Sequence, residues 1–339
     1  MRRPALTALA LVALLAPAAV ADAATWSPGY SRFAGADRYA TAVEASKLPN
    51  YDGVVFVASG TNFPDALAAG PAAAATHGPV LLVPHTGTLP TVVSQRLKEL
   101  APDVIVVMGG TGAIDSGVER QLRAYAPLVD RVDGANRYDT AAQAADFTVE
   151  VNDAGEPTYP FTVALASGST FADALAGGAG AAWQKAPLLL TSPTRLPAET
   201  ASVLTEFQPR YLKILGGTAA VSAEVEQQVR ALLPNTEVKR LAGKDRYTTA
   251  VAISREMVLN GTPGNAVGIV LVNGSNFPDA LAAAPLAAQH GAPILLSQRE
   301  CAPKATVAEV QLQRPDTLWA VGGTGVLSDA ALHLKACAS

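Results

Sequence analysis

The sequence says nearly the same thing three times, and no other feature constrains its fold as strongly. Arg32-Phe33-Ala34-Gly35-Ala36-Asp37-Arg38-Tyr39 recurs from Arg131 to Tyr138 and from Arg240 to Tyr247. Ser59–Ala68, with Pro64-Asp65 at its centre, recurs as Ser167–Ala176 and as Asn273–Ala282. Pro79-Val80-Leu81-Leu82 recurs as Pro187-Leu188-Leu189-Leu190 and as Pro293-Ile294-Leu295-Leu296. Gly109-Gly110-Thr111 recurs as Gly216-Gly217-Thr218 and Gly322-Gly323-Thr324. The spacing from Asp65 to Pro79 matches that from Asp173 to Pro187 and from Asp279 to Pro293. A period of roughly 106–108 residues is too long for a solenoid repeat and suits a small domain.

Each copy reads as strands alternating with helices. The runs Val54–Val57, Val80–Val83 and Val104–Met108 are apolar without alternation, so both faces of the sheet are buried, as in a parallel sheet between helices. Helical patterns such as Thr91–Leu100 and Val118–Ala126 lie between them. The fold expected is α/β: three tandem doubly wound parallel-sheet domains, Rossmann- or flavodoxin-like, with right-handed crossovers. Residues 30–128, 129–237 and 238–339 are the three copies. Copies two and three carry extra residues at Val151–Pro160 and Leu259–Ala266, a connection at the N-terminal edge of the sheet. The repeated motifs follow strands, at the C-terminal edge where ligands of such folds bind.

The chain's start is expected to be an export signal spanning residues 1–23. Arg2 and Arg3 precede an apolar run from Ala5 to Ala19, and small residues allow cleavage after Ala21 or Ala23. No later segment supplies about 20 unbroken apolar residues, so integral membrane contact is not expected. Leu332–Ser339 carries no hydrophobic tail or sorting-type motif, so surface attachment is expected to be non-covalent. Hydrophobic residues at 49% and charged residues at 16% exclude a disordered chain. A net charge of −4 gives no footprint for nucleic acid. Cys301 and Cys337 are the two cysteines of an exported chain, and an oxidised pair is the expectation. Cys337 follows a last helix that should descend away from Cys301. The third copy, however, lacks the strand that follows this helix in the other two, so its tail is free to fold back.

Asp37, Asn136 and Asp245 suit the N-cap of the first helix in each copy. Arg38, Arg137 and Arg246 come next, where a cation opposes the helix dipole and needs an acidic partner. Asp65, Asp173 and Asp279 are the expected structural partners within each copy. The alternative is that the arginines present guanidinium forks to an anionic ligand. The Gly-Gly-Thr segments read as tight turns, since they match neither nucleotide-loop pattern. Catalysis finds no support: Ser59 and Ser167 become Asn273 in copy three, and His77, His85, His290 and His333 share no repeat position. No metal-ligand spacing and no cofactor motif is present.

Four motifs in order, Arg-x-x-Gly-x-Asp-Arg-Tyr-x-Thr-Ala at Arg32–Ala42 and Arg240–Ala250, Phe-Pro-Asp-Ala-Leu-Ala, Pro-Ile-Leu-Leu and Gly-Gly-Thr, resemble the type 2 cell wall binding repeat of Gram-positive bacteria. Copy two departs with Asn136 and Ala172, and Val80 and Leu188 replace the isoleucine. The resemblance implies three repeats around a pseudo-threefold axis and non-covalent attachment of a secreted, non-enzymatic protein to an anionic secondary cell-wall polymer. It implicates Val80, Leu81, Leu82, Leu188, Leu189, Leu190, Ile294, Leu295 and Leu296, with Arg38, Arg137 and Arg246, in polymer binding. Two competing readings are a secreted α/β hydrolase acting on wall glycan and an extracellular small-molecule binding protein. The first lacks a repeated catalytic set, and the second needs one cleft between two lobes rather than three equal copies.

Overall fold

The computed structural model describes residues 26–62, 64–258 and 267–338. The expected leader at 1–23 and the third copy's extra residues at 259–266 lie outside the described residues. The first copy runs β1 (Gly29–Phe33), α1 (Arg38–Ala45), β2 (Val54–Ser59), α2 (Ala69–Ala75), β3 (Val80–Val83), α3 (Thr91–Leu100), β4 (Val104–Met108) and α4 (Ser116–Leu122). The second runs β5 (Leu128–Val132), α5 (Arg137–Ala145), a small antiparallel pair β6 (Glu150–Val151) and β7 (Pro157–Thr158), β8 (Thr162–Ser167), α6 (Ala172–Trp183), β9 (Leu188–Thr191), α7 (Ala198–Phe207), β10 (Tyr211–Leu215) and α8 (Ala223–Leu232). The third runs β11 (Glu237–Leu241), α9 (Arg246–Val258), β12 (Gly268–Asn273), α10 (Phe277–Gln289), β13 (Ile294–Ser297), α11 (Lys304–Gln313), β14 (Thr317–Val321) and α12 (Asp329–Leu332). The pair β6–β7 is formed by the extra residues of copy two.

Three parallel four-stranded sheets result, ordered β3-β2-β4-β5, β9-β8-β10-β11 and β13-β12-β14-β1. Each sheet takes three strands from one copy and its fourth from the start of the next. The sheets are thus offset by one strand from the repeats of the sequence. In the third sheet the fourth place is filled by β1, which runs from Gly29 opposite Thr317 to Phe33 opposite Val321. The strand that copy three lacks is supplied by the beginning of the chain, which closes the three copies into a ring.

Both faces of each sheet are buried, for the reason the unbroken apolar runs indicate. In the first sheet Val55, Val57, Ile105 and Val107 face Val93 and Leu97 of α3 and Val118 and Leu122 of α4. Phe56, Ala58, Val106 and Met108 face inward, into a core shared by all three copies. That shared core is built on α2, α6 and α10, which pack against one another around the pseudo-threefold axis. Their sequences are mostly alanine and glycine, so the backbones approach closely. A Cβ added at Gly70 would stand 2.7 Å from that of Ala284. Residues this small gain little area each, and the helices hold together because the packing leaves no gap.

β3, β9 and β13 are sheet edges, yet they are sealed. Val80, Leu81, Leu82, Leu188, Leu189, Leu190, Ile294, Leu295 and Leu296 are all 0–1 % exposed. α10 of the third copy packs on β3, and α6 of the second packs on β13. Leu81 and Leu189 pack under the outer helices of their own copies, and the other seven belong to the core shared between copies. The nine offer no surface to a polymer, which corrects the expectation that they touch one: their contribution is to the shape of the ring.

The C-terminal tail also departs from expectation. α12 has only four residues and does not descend across the sheet. Leu334 turns the chain in a left-handed conformation at φ 62°, and Ala336 forms a parallel bridge with Ala302. Cys301 and Cys337 are joined by a disulfide with Cα atoms 4.9 Å apart.

Candidate functional site

The repeated polar motifs meet between copies, and the reason is the one-strand offset of the sheets. β5 ends beside β4, so the opening motif of copy two is delivered to the Gly-Gly-Thr turn of copy one. β11 does the same for copies two and three, and β1 for copies three and one. A Cβ placed on Gly217 would lie 4.0 Å from the Gly243 carbonyl oxygen, and one on Gly323 3.9 Å from that of Gly35. The result is three equivalent junctions at the C-terminal edges of the sheets. The one between copies three and one encloses ≈ 330 Å³ and is lined by Gly35, Arg38 and Thr41 from one side and Asp279, Gly323 and Thr324 from the other.

Each junction rests on an arginine that in the sequence is only the first residue of the opening motif. Arg131 donates to the carbonyl oxygens of Gly109 and Ile114 and pairs with Glu119 at 2.7 Å. Arg240 donates to those of Gly216 and Val221 and pairs with Glu226 at 2.8 Å. Arg32 donates to those of Gly322 and Leu327 and pairs with Asp329 at 2.9 Å. One planar fork from each copy thereby clamps the turn of the copy before it. The recurrence of this arginine in register with the motif was the available signal. Its role needed the neighbouring sheet to be known.

The caps form as the sequence predicts. Asp37 accepts from the Ala40 N–H, Asn136 from those of Tyr138 and Asp139, and Asp245 from that of Thr248. Asn136 departs from aspartate for a visible reason: its amide donates to Glu199 at 3.0 Å, where a carboxylate would meet a like charge. Ser59 accepts from the N–H groups of Thr61 and Asn62, Ser167 from Ser169, and Asn273 from Ser275. Position 59 and its copies therefore shape a turn, and asparagine serves there as well as serine.

Arg38 lines the cleft between copies three and one, and Arg137 and Arg246 occupy the equivalent places beside Asp65 and Asp173 at the other two junctions. Each spends one nitrogen on the turn of its own copy: Arg38 donates to the Gly60 carbonyl oxygen, Arg137 to that of Gly168 at 2.6 Å, and Arg246 to that of Gly274 at 2.5 Å. Arg38 and Arg246 are exposed and Arg137 is half-buried. Arg246 also sits over the ring of Phe171 in copy two, 5.8 Å from its centroid.

The expected pairing of aspartate with arginine inside each copy does not form. Asp65 faces Arg137, Asp173 faces Arg246 and Asp279 faces Arg38, each from the next copy round the ring. Among the described residues no ion pair reaches any of the three aspartates. The offset of the sheets is again the cause, because it carries the arginine away from its own copy's aspartate. Burial dominates their electrostatics. It raises the pKa of all three carboxyls against the pull of the arginine, for Asp279 to about 6. Asp65 gains a hydrogen bond from Thr140. The turn glycines make room for them: Gly109, Gly216 and Gly322 have φ of 93°, 106° and 119°, and a Cβ there would come within 2.8, 2.5 and 2.8 Å of a carboxylate oxygen of Asp65, Asp173 and Asp279.

Among the described residues no group of three His, Cys, Asp or Glu side chains could hold a metal ion, and no helix is long and apolar enough to cross a membrane. The family model of cell wall binding domain 2 matches residues 32–119, 131–226 and 240–332, most of the chain. The chain belongs to the cell wall binding domain 2 family. Its place is the cell wall or cell surface, and its role is that of a cell-wall-binding protein. Among curated proteins it is 33% identical over 205 residues to an N-acetylmuramoyl-L-alanine amidase of Bacillus subtilis, spanning 60% of this chain and 38% of that protein. It is 30% identical over 275 residues to an amidase enhancer of the same bacterium, spanning 81% of this chain and 35% of that protein. The chain therefore spans just over a third of the length of these relatives. Among solved structures, Cwp6 from Clostridium difficile superposes with a TM-score of 0.80 at 22% identity, covering 91% of this chain and 48% of that one. Cwp8 from the same organism gives 0.76 at 28%, covering 90% and 51%. The fold of nearly the whole described chain is thus shared with these solved structures.

Proposed function

We propose that this is a secreted, non-catalytic protein whose three cell wall binding domains attach it non-covalently to an anionic secondary cell-wall polymer. The observation that carries this reading is the threefold recurrence of one cationic group at one kind of junction. Arg38, Arg137 and Arg246 each commit one nitrogen to a backbone carbonyl and leave the rest of a rigid guanidinium fork at the junction. A fork so anchored is pre-oriented for a phosphate or carboxylate. Three equivalent sites on one rigid ring suit a repeating polymer, because the second and third contacts are intramolecular once the first has formed. The chain's overall negative charge means that attraction comes from these placed groups rather than from its general field.

Co-sedimentation with purified sacculi tests this. The protein should pellet with intact sacculi, less at high salt, and not with sacculi stripped of their secondary polymers. Replacing Arg38, Arg137 and Arg246 together by glutamine should abolish pelleting and leave the melting temperature within a few degrees of the parent. Salt-independent binding, or undiminished binding by the triple glutamine variant, would refute the charged-polymer account.

A further inference from the structure

Two of the three junctions are crossed by the chain itself, and the third is not. α4 runs on into β5 and α8 into β11, so each closing strand is tied to the copy whose sheet it completes. Among the described residues no strand follows α12, and β1 closes the third sheet by non-covalent contacts alone. What covers β1 is also slighter. α4 and α8 have seven and ten residues, and α12 has four. Val129 of β5 and Val238 of β11 are 7 % and 8 % exposed, whereas Tyr30, at the same place on β1, is 41 % exposed. The Tyr30 ring meets that of His333 edge-on, with centroids 4.4 Å apart. Arg32 donates to the Leu327 carbonyl oxygen and to Asp329. The grip on β1 therefore depends on α12 and the residues beside it.

A helix of four residues does not stand unaided, because nucleating its first turn is unfavourable. The far end of α12 is held by the tail. Lys335 donates its N–H to the Ala330 carbonyl oxygen at 2.8 Å, Ala302 to that of Lys335 at 2.8 Å, and Cys337 to that of Ala302 at 3.0 Å. Lys335 and Ala336 are exposed, so solvent competes for these bonds, and the disulfide from Cys337 to Cys301 is the one covalent hold. The loop that carries Cys301 also meets the start of α12, where the Ser328 N–H donates to the Arg299 carbonyl oxygen at 2.8 Å. The crosslink thus fastens both ends of the short helix to one loop. Cys301 and Cys337 are the chain's two cysteines, so copies one and two have no such bond.

We propose that the Cys301–Cys337 disulfide is a redox latch on the ring: a dithiol reductant that opens it releases the tail, α12 frays, and β1 leaves β14. In this step a thiolate of the reductant attacks one sulfur of the cystine and the S–S bond breaks. The reductant's second thiol then closes its own disulfide, and the protein, gaining two electrons and two protons, is left with two thiols. Both cysteines are half-buried rather than sealed, so a reductant reaches them. The packing of α10 against α1 and α2 does not pass through the tail, so copies three and one stay together while the sheet between them opens. Release of β1 withdraws Arg32 from the carbonyl oxygens of Gly322 and Leu327, and the turn at that junction loses its clamp. β5 and β11 have no bond of this kind to lose. The oxidised protein holds three complete junctions and the reduced protein two.

The test is hydrogen exchange of the full, folded chain, read by mass spectrometry with and without dithiothreitol, complete reduction being checked by alkylation. In the reduced protein the amides of residues 30–33 should exchange at least about tenfold faster than in the oxidised one. Those of residues 129–132 and 238–241 should not change, and re-oxidation should restore protection to β1. The double variant Cys301→Ser, Cys337→Ser should show the same fast exchange at β1 with or without dithiothreitol. Faster exchange confined to residues 297–302 and 333–337, with β1 still protected, would overturn the latch and leave the bond a tail anchor. Equal acceleration of all three closing strands would overturn it too, since the bond would then support the whole fold. A double serine variant that fails to fold, or that keeps β1 protected, would count the same way.

Discussion

At the scale of single residues, two kinds of arginine and one kind of aspartate divide the work of each junction. The clamp arginines are structural, and their environments rank them. Arg131 and Glu119 have side chains 12 % and 17 % exposed, whereas Asp329, the partner of Arg32, is 66 % exposed. Removing Arg131 leaves two carbonyl groups unpaired and half-buried Glu119 with only the exposed Arg123 as partner, so Arg131→Ala should cost about 3 kcal/mol. Arg32→Ala should cost less, because solvent screens its partner. Urea denaturation of the two variants side by side checks the order. The aspartates act in the opposite sense on stability. Burial pushes the Asp279 carboxyl up from the ordinary 3.8 of an unfolded chain to about 6 in the fold. Between those values the folded chain holds more protons than the unfolded one, so this group's contribution to stability rises as pH falls from 7 through 6 and levels off below 3.8. The pairs of Glu119, Glu226 and Glu256, whose pKa values are lowered, stay charged down to pH 5 and do not interfere. His290, whose pKa is lowered by burial, works in the other direction from 6.5 downward. Asp279→Asn isolates the aspartate: the variant should be more stable than the parent at pH 7, on the order of 3 kcal/mol from the shift in pKa, and the difference should shrink towards pH 5. Denaturant midpoints at the two pH values measure it.

At the scale of elements, the edge strands and the tail show how local sequence is reused for assembly. β3, β9 and β13 have the composition of central strands because helices bury both their faces, with helices of a neighbouring copy joining in at β3 and β13, so truncation there should act through the fold. Leu189→Ala should lose about 2–5 kcal/mol, and any loss of sacculus binding should track the unfolded fraction in a denaturant titration rather than precede it. The tail relies on a short β-bridge and on Cys301–Cys337, whose separation along the chain is 36 residues. A crosslink over that distance typically contributes about 2–4 kcal/mol. Reduction should therefore speed hydrogen exchange first around residues 297–302 and 333–337, since the tail has few other holds. Alkylation of the unreduced protein, followed by mass spectrometry, should find neither thiol free.

At the scale of the whole molecule, the ring makes the binding unit different from the sequence unit. A fragment of residues 30–128 contains Arg38 without Asp279, and Asp65 without Arg137. It also carries β1 without its sheet and lacks most of β5. Such a fragment holds no complete cleft, and it exposes the alanine-rich face of α2. It should bind sacculi undetectably in the co-sedimentation assay, whereas three independent sites would leave it weak but measurable binding.

What the sequence by itself determined is what periodicity and local chemistry encode. The triplication, the parallel α/β sheets buried on both faces, the caps at Asp37, Asn136 and Asp245, and the tight Gly-Gly-Thr turns all follow from patterns within a few residues of each feature. Family membership was likewise legible, since four ordered motifs recur over nearly the whole chain. The tertiary structure alone decided which copy each motif serves. A strand of five residues such as β5 pairs equally well, as sequence, with the sheet before it or the sheet after it. Only the shared packing of α2, α6 and α10 fixes the choice, and with it the arrival of Arg137 at Asp65 instead of Asp173. The same choice completed the burial of β3 and β13, whose residues composition alone could not separate from a contact surface. It also set Asp65, Asp173 and Asp279 opposite arginines of the next copy without an ion pair, a fact about distances between copies that no local pattern records.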